Sequence, residues 1–166
     1  MNWTLHRLCA ADAARIESHL LRLDTGDRSL RFGGGLVTDA TIRAYCASLR
    51  YESDILLGIE DPRGDVVGLA HGCVYEAGGQ RRVEGAFSVD REFRGRGLGS
   101  RLMAMLEVRA RASGAQALVG MCAVRNLPMR RIFERAGLVL RREDDELHGQ
   151  RELLAADRRA AHCAWT

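Results

Sequence analysis

The chain has 166 residues, 46% hydrophobic and 28% charged, with only 2 Pro, a composition that suits one folded domain and excludes the disordered and collagen-like classes. Its 25 basic residues, all arginine, nearly balance 22 acidic ones for a net charge of +3, and aromatics reach only 5%, which argues against a nucleic-acid binder. No apolar run approaches the roughly 20 residues of a membrane span, and Asn2, His6, Arg7 and Asp12 interrupt any N-terminal signal core, so the cytoplasm is the expected compartment.

Trp3 to Leu8 alternates as a short strand, and Asp12 is placed to cap a helix carrying Ala13, Ile16, Leu20 and Leu23 at helical spacing. Asp24 to Gly35, with four glycines, reads as a loop of the length that often carries function. A second helix starts at Thr38 and runs to about Leu49. Ile55 to Glu60, Val66 to Tyr75 and Arg82 to Val89 read as a meander of three strands joined by Asp61-Pro62-Arg63-Gly64 and by the glycine-bearing turn Glu76 to Gln80. In the last of these strands Val83, Gly85, Phe87 and Val89 share one face, and Glu84, Ala86 and Ser88 the other.

A long helix is predicted from Gly97 to about Ala112, stopped by Ser113-Gly114. Ala117 to Cys122 reads as a buried strand, and Asn126 to Ala136 as a helix with Pro128 in its first turn, Met129, Ile132 and Phe133 facing inward, and Gly137 closing it. Leu138 to Arg142 and Glu146 to Leu153 are two further strands, followed by an Ala- and Arg-rich tail from Leu154. The expected organisation is a domain over residues 1–153 and a tail over 154–166. The five cysteines contain no CxxC pair and the five histidines no HExxH, so free thiols and no metal site are expected.

The sharpest motif is Arg94-Gly95-Arg96-Gly97-Leu98-Gly99, between a predicted strand and a predicted helix. A helix start there offers unpaired N–H groups and the positive end of a dipole, and glycines let the backbone approach an anion, so the segment is a diphosphate seat to which Arg94, Arg96 and Arg101 can add charge. A P-loop needs a lysine that the chain lacks. The dinucleotide fingerprint needs GxGxxG after the first strand of a parallel unit, whereas GxGxG here follows a meander.

These residues resemble the GNAT N-acetyltransferases, whose acetyl-coenzyme A loop follows [RQ]xxGx[GA]; Arg94 to Gly99 matches each fixed position, and the element order is similar over about residues 2 to 153. Asn126-Leu127-Pro128-Met129, continuing to Gly137, resembles the family's second signature. Val83 to Val89, Arg142-Glu143-Asp144 and Asp27 to Phe32 look like the acetyltransferase domain of bacterial protein-lysine acetyltransferases of the Pat type. The resemblance implies an α/β fold with a mixed, mostly antiparallel sheet flanked by helices and splayed between its fourth and fifth strands. It implies acetyl-coenzyme A as cofactor, held by Phe87, Ser88, Val89, Arg94, Gly95, Arg96, Gly97, Leu98, Gly99, Ser100, Asn126, Met129 and Phe133. It implies transfer to a primary amine, protein lysine ahead of a small molecule, by a monomer or homodimer. Glu84 takes the role of catalytic base, and the Val89 N–H that of oxyanion donor. Where the family commonly carries a tyrosine as acid, this chain has Phe133, which cannot donate a proton; the alternative is a catalytically silent acyl-coenzyme A binding or sensor module. By analogy Asp24 to Gly35 and the hairpin at Glu76 read the acceptor, with Asp24, Asp27 and Glu76 able to attract an amine.

Overall fold

The computed structural model describes residues 3–153. Seven strands form one sheet in the order β1-β2-β3-β4-β5-β7-β6: β1 (Thr4–Arg7), β2 (Ile55–Glu60), β3 (Val66–Ala77), β4 (Gln80–Val89), β5 (Ala117–Ala123), β6 (Val139–Glu143) and β7 (Glu146–Glu152). Five helices flank it: α1 (Ala13–Arg22), α2 (Thr25–Arg31), α3 (Asp39–Ala47), α4 (Leu98–Ala112) and α5 (Leu127–Arg135). The predicted order of strands and helices is therefore present, and the tail over 154–166 lies outside the described residues.

Alternation along β2 shows how the sheet acquires two cores. Leu57 and Ile59 pack with Leu98, Leu102, Leu106 and Phe133 from α4 and α5, whereas Leu56 packs on the other face with Ile16 and Leu20 of α1 and Ile42 of α3. Successive side chains point to opposite faces, and a strand covered on both sides is continuously apolar; β2 is buried from Ile55 to Ile59.

Two local expectations are corrected. Asp12 is the N-cap residue of α1 but makes no side-chain bond to it: it closes a short 3₁₀ turn, Ala10–Asp12, where its carboxylate accepts from the Cys9 N–H at 2.9 Å. The segment from Asp24 to Gly35 is not all loop either, because Thr25–Arg31 is helical. The Asp24 carboxylate accepts from the Asp27 N–H at 2.8 Å, and Arg28 donates to the carbonyls of Leu23 and Leu21 at 2.8 and 2.7 Å, so a cap and tertiary hydrogen bonds hold a helix that has little apolar periodicity. The β3–β4 hairpin also runs longer than predicted, turning at Gly78-Gly79 with Ala77 paired to Gln80.

All strand pairs are antiparallel except β4 with β5, which are parallel and joined by the α4 crossover. Their pairing covers only Arg82 to Gly85 against Ala117 to Gly120. Beyond it β4 continues to Val89 alongside β3 and β5 to Ala123 alongside β7, so the sheet opens into a gap. No helix among the described residues is long and apolar enough to cross a membrane.

Candidate active site

Backbone direction in β4 decides what the gap offers. The carbonyl of Arg81 accepts from the Gln116 N–H at 2.8 Å, on the β5 side, while the Asp90 N–H donates to Val67 at 2.9 Å, on the β3 side. Register against β3 is regular from Gln80 to Val89, so peptide groups alternate along the strand. The N–H groups of Phe87 and Val89 consequently face the gap, where β5 no longer meets them. The Val89 carbonyl is taken by Arg94 Nε at 3.0 Å.

At the end of that gap stands the start of α4. Gly97 is its N-cap residue with φ 76° and no side-chain cap, a left-handed conformation for which a side chain is strained. The first intrahelical bond is from the Arg101 N–H to the Gly97 carbonyl, so the N–H groups of Leu98, Gly99 and Ser100 have no helical acceptor. Gly99 answers a different need: a Cβ there would lie 2.8 Å from Ile132 Cδ1, so its absence lets α4 approach α5.

Gap and helix start open into one cavity of about 700 Å³, within the range of small-molecule sites. Its walls bring together Phe87, Ser88 and Val89 of β4, Arg94, Gly95, Gly97, Leu98, Gly99 and Ser100 of the glycine segment, and Asn126, Met129 and Phe133 of α5 and its cap. Arg96, Arg101 and Glu84 stand outside these walls, as do Asp24 and Glu76. Arg96 lies over the rings of Trp3 and Phe93, and Glu84 is an exposed residue of β4 in register with Cys73 on one side and Val119 on the other. The cavity also takes in Leu23, which sequence reasoning assigned to the first helix, Asp27, Leu30 and Arg31, which it assigned to a loop, and Met121, Cys122, Arg125, Arg131 and Arg135.

Several of these side chains have structural partners. Arg94 is tied to Asp27 at 2.7 Å, and Arg91 to Asp24 at 3.1 Å, so these carboxylates are engaged rather than offered to an amine. The Asn126 side chain caps α5 by accepting from the Met129 N–H at 3.2 Å. Phe133 is fully buried, its ring tip set against Gly120, where an added Cβ would lie 2.5 Å from Cζ.

Two polar chains on the α1–α3 face of the sheet were invisible to spacing. In one, Arg31 donates to the Tyr45 hydroxyl at 2.7 Å, which leaves that hydroxyl to donate to His71 Nδ1 at 2.6 Å and His71 Nε2–H to donate to Asp54 at 3.1 Å. Burial pushes the Asp54 carboxyl up, but the Val74 N–H, His71 and Arg50 outweigh it and hold the group below the usual range. Burial pushes His71 down, against the pull of Asp54, and pushes the Tyr45 phenol up. In the other chain, His19 Nε2 is 2.8 Å from Ser88 Oγ, His19 Nδ1 is 2.9 Å from Asp90, and Arg22 pairs with Asp90 at 2.8 Å. Burial raises Asp90, and His19 with Arg22 more than offsets it, so this carboxyl too titrates below its ordinary value. Among the described residues no group of three or more His, Cys, Asp or Glu gathers to hold a metal ion.

A sheet that opens beside an unpaired helix start offers an anion seat at one end of a long cleft. The model of the acetyltransferase (GNAT) family matches residues 25–138, more than half of the chain, and the protein belongs to that family. It is an acyltransferase, and acetyl-coenzyme A is its acyl donor. Among solved structures, the GNAT domain of PAT from S. lividans is 20% identical with a TM-score of 0.75, covering 90% of this chain and 89% of its own. The yncA protein from Salmonella typhimurium, whose structure holds its cofactor acetyl-CoA, is 20% identical with a TM-score of 0.74, over 95% and 99% of the two chains. Ribosomal-protein-S5-alanine acetyltransferase from Vibrio fischeri is 12% identical, with a TM-score of 0.71 and 95% of each chain covered. At these identities the likeness defines the fold.

Proposed function

We propose that the protein transfers acetyl from acetyl-coenzyme A to a primary amine, with protein lysine ahead of a small-molecule amine, and that it acts in the cytoplasm as a monomer or a homodimer. The observation that carries the reading is the meeting of unpaired N–H groups at Leu98 to Ser100 with the gap between β4 and β5. The free thiols of Cys9, Cys46, Cys73 and Cys122 suit a reducing compartment. The resemblance of Val83 to Val89, Arg142-Glu143-Asp144 and Asp27 to Phe32 to the Pat-type domain supports lysine as acceptor.

Acetyl-coenzyme A supplies an activated thioester; the protein's part is to place it and to remove a proton. The N–H groups of Leu98, Gly99 and Ser100, at the positive end of the α4 dipole, seat the diphosphate. Phe87 and Val89 orient the arm through their main chain, with Ser88 between them and Met129 and Asn126 across the gap, and the Val89 N–H donates to the carbonyl oxygen as charge develops there. Glu84, an exposed residue in the paired part of β4, receives the proton that the amine must lose, directly or through one water. Phe133 acts as packing. A thiol with a pKa near ~8.5 leaves without an acid.

Replacing Glu84 by Gln tests this. The account expects kcat/KM to fall about a hundred-fold with acetyl-coenzyme A affinity nearly unchanged; equal loss of both removes Glu84 from the role. Two observations favour a second reading, a silent acyl-coenzyme A binding module: Phe133 has no hydroxyl, and Glu84 stands outside the cavity walls. Tight donor binding with no coenzyme A release across a panel of amines selects it.

A further inference from the structure

His19 is the observation that the acetyltransferase reading leaves over. Its side chain is completely buried, yet an imidazole gains nothing from burial unless its nitrogens are used. One nitrogen, Nε2, is 2.8 Å from the Ser88 hydroxyl. The other, Nδ1, is 2.9 Å from Asp90 Oδ1, and neither of these buried atoms has another polar partner. Asp90 is held ionised by Arg22, which also donates to the Val66 carbonyl. With a carboxylate at Nδ1 the proton sits on that nitrogen, so Nε2 presents its lone pair to Ser88 and the hydroxyl donates to it. A structural tie between α1 and β4 is already complete in the Arg22–Asp90 pair, and the partner that His19 adds is a hydroxyl on the cavity wall.

We infer that Ser88, His19 and Asp90 form a nucleophilic triad that gives this cavity a second reaction, hydrolysis of the acetyl thioester when no amine is present. The inference rests on acetyl-coenzyme A occupying the cavity. Triads are defined by geometry and role, and three unrelated folds order them differently along the chain. The remaining requirement is an oxyanion donor beside the nucleophile; in α/β-hydrolases the residue after the serine provides one, and here that residue is Val89, whose N–H faces the gap.

In the first step Ser88 Oγ bonds to the acetyl carbonyl carbon and the carbon–sulfur bond breaks. The hydroxyl proton passes to His19 Nε2 and from there to the departing sulfur, so coenzyme A leaves as the thiol. In the second step water bonds to the same carbon, the bond to Ser88 Oγ breaks, and His19 carries the water proton to Oγ. Acetic acid leaves and ionises. His19 thereby serves as the acid that Phe133 does not provide.

The test uses the full chain and acetyl-coenzyme A labelled in its acetyl group, with no amine. Thiol release is followed over time, donor binding is measured by calorimetry, and acid-quenched protein is digested to locate label. Amine-independent release by the wild type, reduced a hundred-fold or more in Ser88→Ala, with label on the peptide containing position 88 in the conservative Ser88→Cys variant, supports the triad. His19→Gln should match Ser88→Ala, and the two serine variants decide the matter if His19→Gln does not fold. Release that survives Ser88→Ala overturns the triad. So does a wild type that binds the donor and acetylates amines but frees no thiol without them, and this result leaves the acetyltransferase reading standing. Failure to bind the donor at all overturns both.

Discussion

Phe133 shows how a single side chain limits the chemistry. Its ring tip lies against Gly120 in a fully buried site, so a hydroxyl added at that tip has no room. Phe133→Tyr is expected to lower stability by about 1–3 kcal/mol through overpacking and to leave turnover no higher; a rise in kcat at unchanged melting temperature contradicts this. Asp54 carries the clearest pH dependence. A carboxyl held below its usual pKa in the folded state stabilises the fold fully above about pH 4 and loses that contribution as pH falls through the depressed folded value. Asp54→Asn should therefore lower stability by about 3 kcal/mol at neutral pH, since it leaves His71 and Arg50 without their carboxylate. It should also flatten the acid branch of melting temperature against pH. Residues of this kind were the least legible in the sequence: Ser88 and His19 are 69 positions apart and His71 and Asp54 are 17 apart, separations that only the folded sheet converts into contact.

At the scale of elements, hydrophobic period and glycine punctuation located every strand and four of the five helices, because those segments bury one face. The exception, α2, contains TGDRSLR, with a glycine inside it and no apolar stripe. Tertiary bonds override its weak propensity. Arg28 makes most of them, donating to Leu21, Leu23 and Asp39. Arg28→Ala is expected to cost about 1–3 kcal/mol and, because Leu30 and Arg31 line the cavity, to weaken donor binding or raise the KM for amine. Hydrogen exchange confined to residues 24–31 is the measurement, and unchanged protection there rules it out. At the other side of the cavity Gly97→Ala puts a side chain at φ 76°. About 1–2 kcal/mol of strain should fall on the cap, with donor affinity falling more than thermal stability.

For the whole molecule, one sheet separates two cores, and the proposed site sits where that sheet fails to stay closed. The glycine segment's place at a helix start was legible from sequence alone. The gap was not, because its cause is a pairing that stops at Gly85 and Gly120, and strand partners are not written in local periodicity. Nor did the sequence separate Glu84, which lies in the part of β4 still paired with β5, from the residues beyond Gly85 that line the cavity. Since the donor binds only the folded chain, a concentration of about a hundred times Kd adds roughly 2.7 kcal/mol of stability. That corresponds to a melting shift of several degrees for a domain of this size; acetyl-pantetheine, lacking the diphosphate, should produce far less.

Amide-resolved NMR reads the main-chain amides of the proposed seat directly. On titration with acetyl-coenzyme A, the signals of Leu98, Gly99 and Ser100 should shift most, together with Phe87 and Val89, and the first three should respond to coenzyme A alone. Saturable binding that leaves all five unmoved while perturbing another face contradicts the account.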